Sequence, residues 1–185
     1  MVGQVGNLEL RAAFLDHRVT AVGYRLSEPD SRHFDPALLE EVGVDGPDVG
    51  RLLADGSIDT ATGPVSLDDV TVVRRGQSFA FIMDTLPCPA AVDLAADADL
   101  VVSESTYLES EVDLARNYGH MTAAQAARMA VEAGARRLVL GHFSARYNDK
   151  ERFVAEAGAI HPDVVVADDL AVVRLPDRRP AEGEA

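Results

Sequence analysis

The chain has 185 residues, 47% of them apolar, which is enough for one domain with a real core and excludes a disordered segment. A net charge of −14, with Lys150 the only lysine, excludes a nonspecific basic nucleic-acid sleeve but leaves room for RNA held locally by a few arginines and metal ions. Cys88 is the only cysteine, so neither an internal disulfide nor a cysteine-based zinc site can form.

No apolar run reaches the roughly 20 residues of a membrane helix. The start, Met1 to Gly6, lacks the basic and apolar regions of a signal peptide, so a reducing cytoplasm is the default compartment. Residues 8–14 alternate imperfectly and predict a strand; residues 19–26 predict a second. From 27 to 77 the composition changes, with Pro29, Pro36, Pro47 and Pro64 punctuating a stretch sparse in apolar residues. Two short helices are predicted inside it, 36–42 and 47–53, each with proline in its first turn. The stretch reads as an inserted arm, although a plain irregular loop fits the composition equally well.

Past Gln77 the pattern becomes regular. Strand 79–83, helix 90–96, strand 100–102 and a helical stretch near 111–115 come first. A helix over 123–133 follows, with Thr122 as N-cap, Gln125 three residues on and Gly134 as its stop. Strand 137–140, helix 150–157 and two short strands, 164–166 and 171–175, come next. The Pro- and charge-rich tail, 176–185, is expected to fray. Strand–helix alternation of this kind predicts an α/β layered domain.

Polar residues gather where apolar strands end. Residues 79–83 run into Asp84, residues 100–102 into Ser103-Glu104-Ser105-Thr106, and residues 137–140 into Gly141-His142. Carboxylates and imidazoles at the ends of buried strands are where α/β enzymes collect metal ligands and acid–base groups. Of the five histidines, His33 and His161 are expected to face solvent. His17, His120 and His142 lie in patterned contexts. An unpaired carboxylate at Asp84, after a buried strand, would be costly, and a metal ion would remove that cost. Two imidazoles and a carboxylate suit Zn²⁺. Spacing alone is satisfied equally by ordinary hydrogen-bonded histidines at strand ends.

A resemblance separates the two. The segments Leu15-Asp16-His17-Arg18-Val19, Gly46-Pro47-Asp48-Val49-Gly50-Arg51-Leu52, Arg74-Arg75-Gly76-Gln77, Met83-Asp84-Thr85, Ser103-Glu104-Ser105-Thr106-Tyr107, Tyr118-Gly119-His120-Met121-Thr122 and Gly141-His142-Phe143-Ser144-Ala145-Arg146-Tyr147 occur in the same order in ribonuclease Z. This is the tRNA 3′-processing endoribonuclease of the metallo-β-lactamase superfamily. The resemblance implies an α/β fold, the C-terminal half of an αββα sandwich with an inserted exosite arm at 27–77. It implies zinc as cofactor, with His17, Asp84 and His142 as ligands. His120 looks like the histidine that assists catalysis, as proton donor to the leaving oxygen or as phosphate stabiliser, and Glu104 resembles the acid that orients it. Ser103 stands where the family often has histidine. Ser144 and Arg146 resemble residues near the scissile phosphate, where Arg146 could bind in bidentate fashion. A surface ion pair is its alternative role. Thr85 and Thr106 look like scaffolding. Gly46, Pro47 and Arg51 belong to the arm that grips tRNA.

The implied partners are precursor tRNA and a second copy of the chain in a cytoplasmic homodimer, with no DNA and no membrane. The family's His-x-His-x-Asp-His motif is absent from these 185 residues. On this reading the chain is a partial domain that holds at most one zinc, weakly, exposes one apolar sheet face, and is impaired alone. The arm's acidic residues, among them Glu40, Glu41, Asp45 and Asp48, are also poor electrostatics for RNA. The rival expectations are an inactive interaction module that pairs with a full-length homologue, and another phosphodiesterase of the same superfamily.

Overall fold

The structure, a computed structural model, describes residues 2–179. The chain begins with strands β1 (Val2–Val5), β2 (Leu8–Leu15), β3 (Ala21–Ser27) and β4 (Ser31–Phe34). Helices α1 (Pro36–Glu41) and α2 (Gly46–Asp55), strands β5 (Ser57–Thr60) and β6 (Gly63–Ser66), helix α3 (Leu67–Val70) and strand β7 (Thr71–Arg74) follow. Then come β8 (Ser78–Ile82), α4 (Pro89–Ala95), β9 (Leu100–Glu104), a 3-10 turn (Glu109–Glu111) and α5 (Val112–Tyr118). Helix α6 (Ala123–Glu132), β10 (Arg137–Gly141), α7 (Glu151–Gly158) and β11 (Val164–Val166) complete the order. These elements form two compact units.

The larger unit, residues 2–29 and 77–177, is built on one sheet in the order β1-β2-β3-β8-β9-β10-β11. Pairing is antiparallel from β1 to β8 and parallel from β8 to β11. The alternation of side chains sends Leu15, Ala80, Ile82 and Val101 to one face, where α4, α6 and α7 cover them. Helix α6 packs closely because its buried side is alanine: Ala123, Ala126, Ala127 and Ala130. It starts on a capping box, in which Thr122 Oγ1 accepts from the Gln125 N–H and the Gln125 side chain accepts from the Thr122 N–H. Gly23 in β3 has no room for a side chain, since a Cβ there would lie 2.7 Å from Leu94 Cδ1 on α4. The opposite face of the sheet is open. Phe14, Tyr24 and Phe81 share it, and they are 67%, 43% and 39% exposed.

The smaller unit contains Asp30–Gly76 and is inserted between β3 and β8. It is built from two antiparallel pairings, β5 with β6 across a short turn and β4 with β7 from the two ends of the segment. Four buried residues, Val44, Leu52, Val65 and Val70, make its core. Its helices begin where the prolines predict, with Asp35 Oδ1 accepting from the Ala37 N–H at 2.8 Å to cap α1.

Two expectations need correction. Residues 171–175 form no strand. Their apolar alternation has no ladder to join, and side chains hold this stretch instead: Arg137 donates to the Arg174 carbonyl and Gln77 to that of Pro176. His161 does not face solvent; it is 2% exposed, with Nε2 bonded to the Ala135 carbonyl and Nδ1 accepting from the Asp163 N–H. It joins the end of α7 to the start of β10 and β11, which is a packing role. At the start of the tail the Pro176 and Asp177 carbonyls accept from Gln77 and Arg136, and the remainder of the fraying expectation falls on residues 180–185, outside the described residues. Strand β1 was hidden by its brevity; it pairs with β2 across a two-residue turn at Gly6 and Asn7.

Candidate metal centre

The parallel register builds the site. Ile82 of β8 is level with Ser103 of β9, and Glu104 is level with Gly141 of β10. The residues just beyond, Asp84, Thr106 and His142, therefore leave the same edge of the sheet. Asp84 and His142 both take left-handed backbone conformations, with φ of 53° and 57°. Non-glycine residues enter that region at a cost, and such positions cluster at functional sites. His17 comes from the β2–β3 turn and His120 from the turn between α5 and α6.

These side chains converge. His142 Nε2 lies 3.2 Å from Asp84 Oδ1, and His120 Nδ1 lies 3.9 Å from the same oxygen. The His120 ring sits between the other two imidazoles, with centroids 5.1 Å from His17 and 5.2 Å from His142. Asp84 is half-exposed, contrary to the burial assumed from the sequence, so the case for a cation rests on convergence and not on desolvation.

Each imidazole has its Nδ1 committed. His17 Nδ1 bonds the Gly119 carbonyl at 2.8 Å, and a carbonyl can only accept, so Nδ1 carries the proton. His120 Nδ1 faces Glu104 Oε1 at 3.1 Å, again a pure acceptor when ionised. Thr106 Oγ1 spends its proton on Glu104 Oε2 at 2.7 Å and so accepts from His142 Nδ1 at 2.8 Å. In each neutral ring Nε2 is thereby left with its lone pair. Fixing one ring nitrogen by an outer partner is how proteins prepare histidine to bind a metal. At His142 that lone pair faces a carboxylate oxygen, an arrangement that a shared cation or a proton satisfies. Ligand atoms of His17, Asp84 and His120 lie within 4.8 Å of one another, a donor set that suits a divalent ion, as do those of Glu104, His120 and His142; the two groups share His120, and neither unites the predicted ligands His17, Asp84 and His142.

Glu104 itself is not free to ligate. It is fully buried and receives four hydrogen bonds, from the Thr85 and Met121 N–H groups, Thr106 Oγ1 and His120 Nδ1. That fills the lone-pair sites of a carboxylate. It ties together the segments carrying Asp84, His120 and, through Thr106, His142.

The other predicted residues fall elsewhere. Arg146 donates from one guanidinium nitrogen to Glu111 Oε1 at 2.7 Å and lies over the Tyr107 ring, so its charge is already paired. That hydrogen bond holds its guanidinium charged more firmly, while Glu111 is lowered by the Tyr147 hydroxyl first and Arg146 second. Ser144 is half-buried and donates its backbone N–H to the Thr106 carbonyl. Gly46, Pro47 and Arg51 are on α2 of the smaller unit, where Arg51 pairs with Asp48. Sequence reasoning missed Gly119. A Cβ there would lie 2.6 Å from His17 Nδ1, and its φ is +82°, so only glycine lets its carbonyl approach that ring. A glycine that ends a helix one residue before a histidine was the available signal.

A mixed sheet with helices on one face and imidazoles and an acid at its parallel edge defines a domain of the metallo-β-lactamase type. Residues 68–143 match the beta-lactamase superfamily domain. The fold is also that of YhfI from Bacillus subtilis, a metallo-beta-lactamase fold protein, at TM-score 0.59 and 17% identity over 90% of this chain and 49% of that one. It is likewise the fold of the short form of human tRNase Z, at TM-score 0.55 and 21% identity over 94% of this chain and 46% of that one. One helical layer and one sheet are present, half of a four-layer αββα sandwich.

Two curated relatives are similar over nearly the whole chain. Ribonuclease Z of Kineococcus radiotolerans is 50% identical over 190 residues, which cover 100% of this chain and 59% of the relative. Ribonuclease Z of Streptomyces coelicolor is 51% identical over 172 residues, 92% of this chain and 56% of the relative. The chain is similar to ribonuclease Z over nearly all of its length, and it spans less than three fifths of the length of these relatives.

Proposed function

We propose that this chain carries part of a zinc-dependent endoribonuclease that removes 3′ trailers from precursor tRNA. The observation that carries the reading is the convergence of His17, Asp84, His120 and His142, with every Nδ1 held by an outer partner. His17, Asp84 and His142 would hold the metal. Bound zinc supplies an activated water and neutralises charge on the phosphodiester. Doubly protonated and fixed through Nδ1 by the Glu104 carboxylate, His120 would pass its Nε2 proton to the leaving oxygen and return to the neutral, Nδ1-protonated ring. Thr106 and Gly119 keep the ligand rings in the tautomer a metal requires.

The arm is read as the element that grips the tRNA body, in a cytoplasmic homodimer. Its arginines are a weak point, because Arg32 pairs with Asp68 and Arg51 with Asp48, leaving little charge for phosphates. The family's His-x-His-x-Asp-His ligands are not among the 185 residues, so three protein ligands support at most one zinc here. Zinc stoichiometry by mass spectrometry, together with cleavage of precursor tRNA, tests the reading. The expected result is up to one zinc per chain, lost in His142→Ala, with slow cleavage or none by these 185 residues alone. A chain that takes up no zinc at micromolar concentration, or that keeps it in full after His142→Ala, would overturn the assignment of the ligands.

A further inference from the structure

Two arginines stand near the histidine cluster, and the structure places them in opposite electrostatic states. Arg146, which the resemblance puts near the scissile phosphate, is paired with Glu111 through one guanidinium nitrogen. Arg18 follows His17 directly, is exposed, and among the described residues meets no carboxylate. Its guanidinium carbon lies 5.3 Å from the centroid of the Tyr118 ring, over its face. A guanidinium stacked on an aromatic face keeps its N–H donors directed outward in its own plane, and the ring limits the orientations it must give up on binding. The two residues are fixed at the site by their neighbours. Tyr118 precedes Gly119, whose carbonyl holds His17, and a Cβ on Gly119 would lie 3.5 Å from Arg18 Cγ. Tyr118 is itself 46% exposed, so the platform stands at the surface and not in the core. Beside it is an open depression of about 600 Å³, bordered by His17, Arg18, Thr20 and Phe14.

We propose that Arg18, seated on Tyr118, is the residue that grips a phosphate of the RNA backbone beside the metal cluster. The proposal rests on the reading of the site as RNA-cleaving. It assigns the phosphate contact to Arg18 and not to Arg146, because the Glu111 carboxylate 2.7 Å from the Arg146 guanidinium offsets that charge and repels a phosphate, whereas Arg18 has no such neighbour among the described residues.

The test is the dissociation constant of fluorescently labelled precursor tRNA from the zinc-loaded full chain, measured by anisotropy across a salt series, with zinc content recorded for each protein. Arg18→Met is expected to weaken binding about tenfold and to lower the slope of log affinity against log salt by about one unit. Arg18→Lys keeps the charge but not the fork, so it should retain the slope and lose part of the affinity. Arg146→Met should change affinity less than twofold, with zinc content equal in all four proteins. Arg18→Met binding as the parent does, or Arg146→Met losing more than Arg18→Met, overturns the assignment while leaving the RNA reading in place. A parent chain that binds zinc but no precursor tRNA overturns both.

Discussion

The two units are held together by different means. In the larger one, residues far apart in sequence meet because strands β8, β9 and β10 run parallel and in register, and a fully buried Glu104 joins the segments that carry Asp84, His120 and His142. The smaller one rests on the single segment Asp30–Gly76, with four buried side chains, two short antiparallel pairings and a capped helix. Its charged groups are exposed pairs such as Arg32 with Asp68, worth little individually. The difference teaches that in the first unit the site and the core share bonds, so perturbing one should perturb the other. In the second, damage should stay local.

Glu104→Ala gives the sharpest test and the largest effect. It leaves buried donors of Thr85, Met121 and Thr106 without partners, and should cost on the order of 4 kcal/mol in chemical denaturation. A cost below about 1 kcal/mol would mean that site and core do not share their bonding. Leu52→Ala in the arm unit should cost about 3 kcal/mol. Hydrogen exchange should speed up within Asp30–Gly76 while zinc stoichiometry stays unchanged; a loss of zinc would break the contrast between the units.

A smaller effect is expected from Thr106→Val, which keeps the shape but removes the acceptor for His142 Nδ1. Zinc affinity should fall about tenfold by competition with a chelator, and Thr106→Ser should restore it. The smallest concerns the α6 cap. Thr122→Ala should cost about 1 kcal/mol, and it should also change the acid limb of stability. Burial opposes the charge of Glu109, but the hydroxyl of Thr122 and the guanidinium of Arg128 outweigh it and hold its carboxyl below the usual carboxylate range. A depressed carboxylate stabilises the fold above its unfolded value, and that contribution is lost as pH falls through the folded one. Without Thr122 the folded value moves up, so the loss on acidification narrows, as carbon-detected NMR titration of Glu109 would show.

Much of the fold was legible because its cues are local. Thr122, Gln125 and Gly134 marked the limits of α6, and the apolar runs before Asp84 and His142 marked buried parallel strands. The arm's helices were legible from Pro36 and Pro47, but its strands were not, since Ser31–Phe34 and Thr71–Arg74 pair across a long separation and carry little apolar alternation. At the site, residue types pointed to His17, Asp84, His120 and His142, yet the identity of their outer partners depended on tertiary placement. Nothing in the order Ser103-Glu104-Ser105-Thr106 says that one side chain of this group will serve three separate segments. His161 misled for the converse reason, because a histidine before proline looks like a loop residue until β10 and α7 close over it.

The left-handed backbones of Asp84 and His142 restrict how this centre can be rebuilt. Asparagine and glycine enter that conformation with little penalty, whereas β-branched residues do not. An Asp84→Asn exchange therefore alters the donor atoms alone, while Asp84→Val alters the donor and forces the loop to relax. Mutant libraries aimed at new metals should vary these two positions among short polar side chains, and read any bulky replacement as a change of loop geometry first.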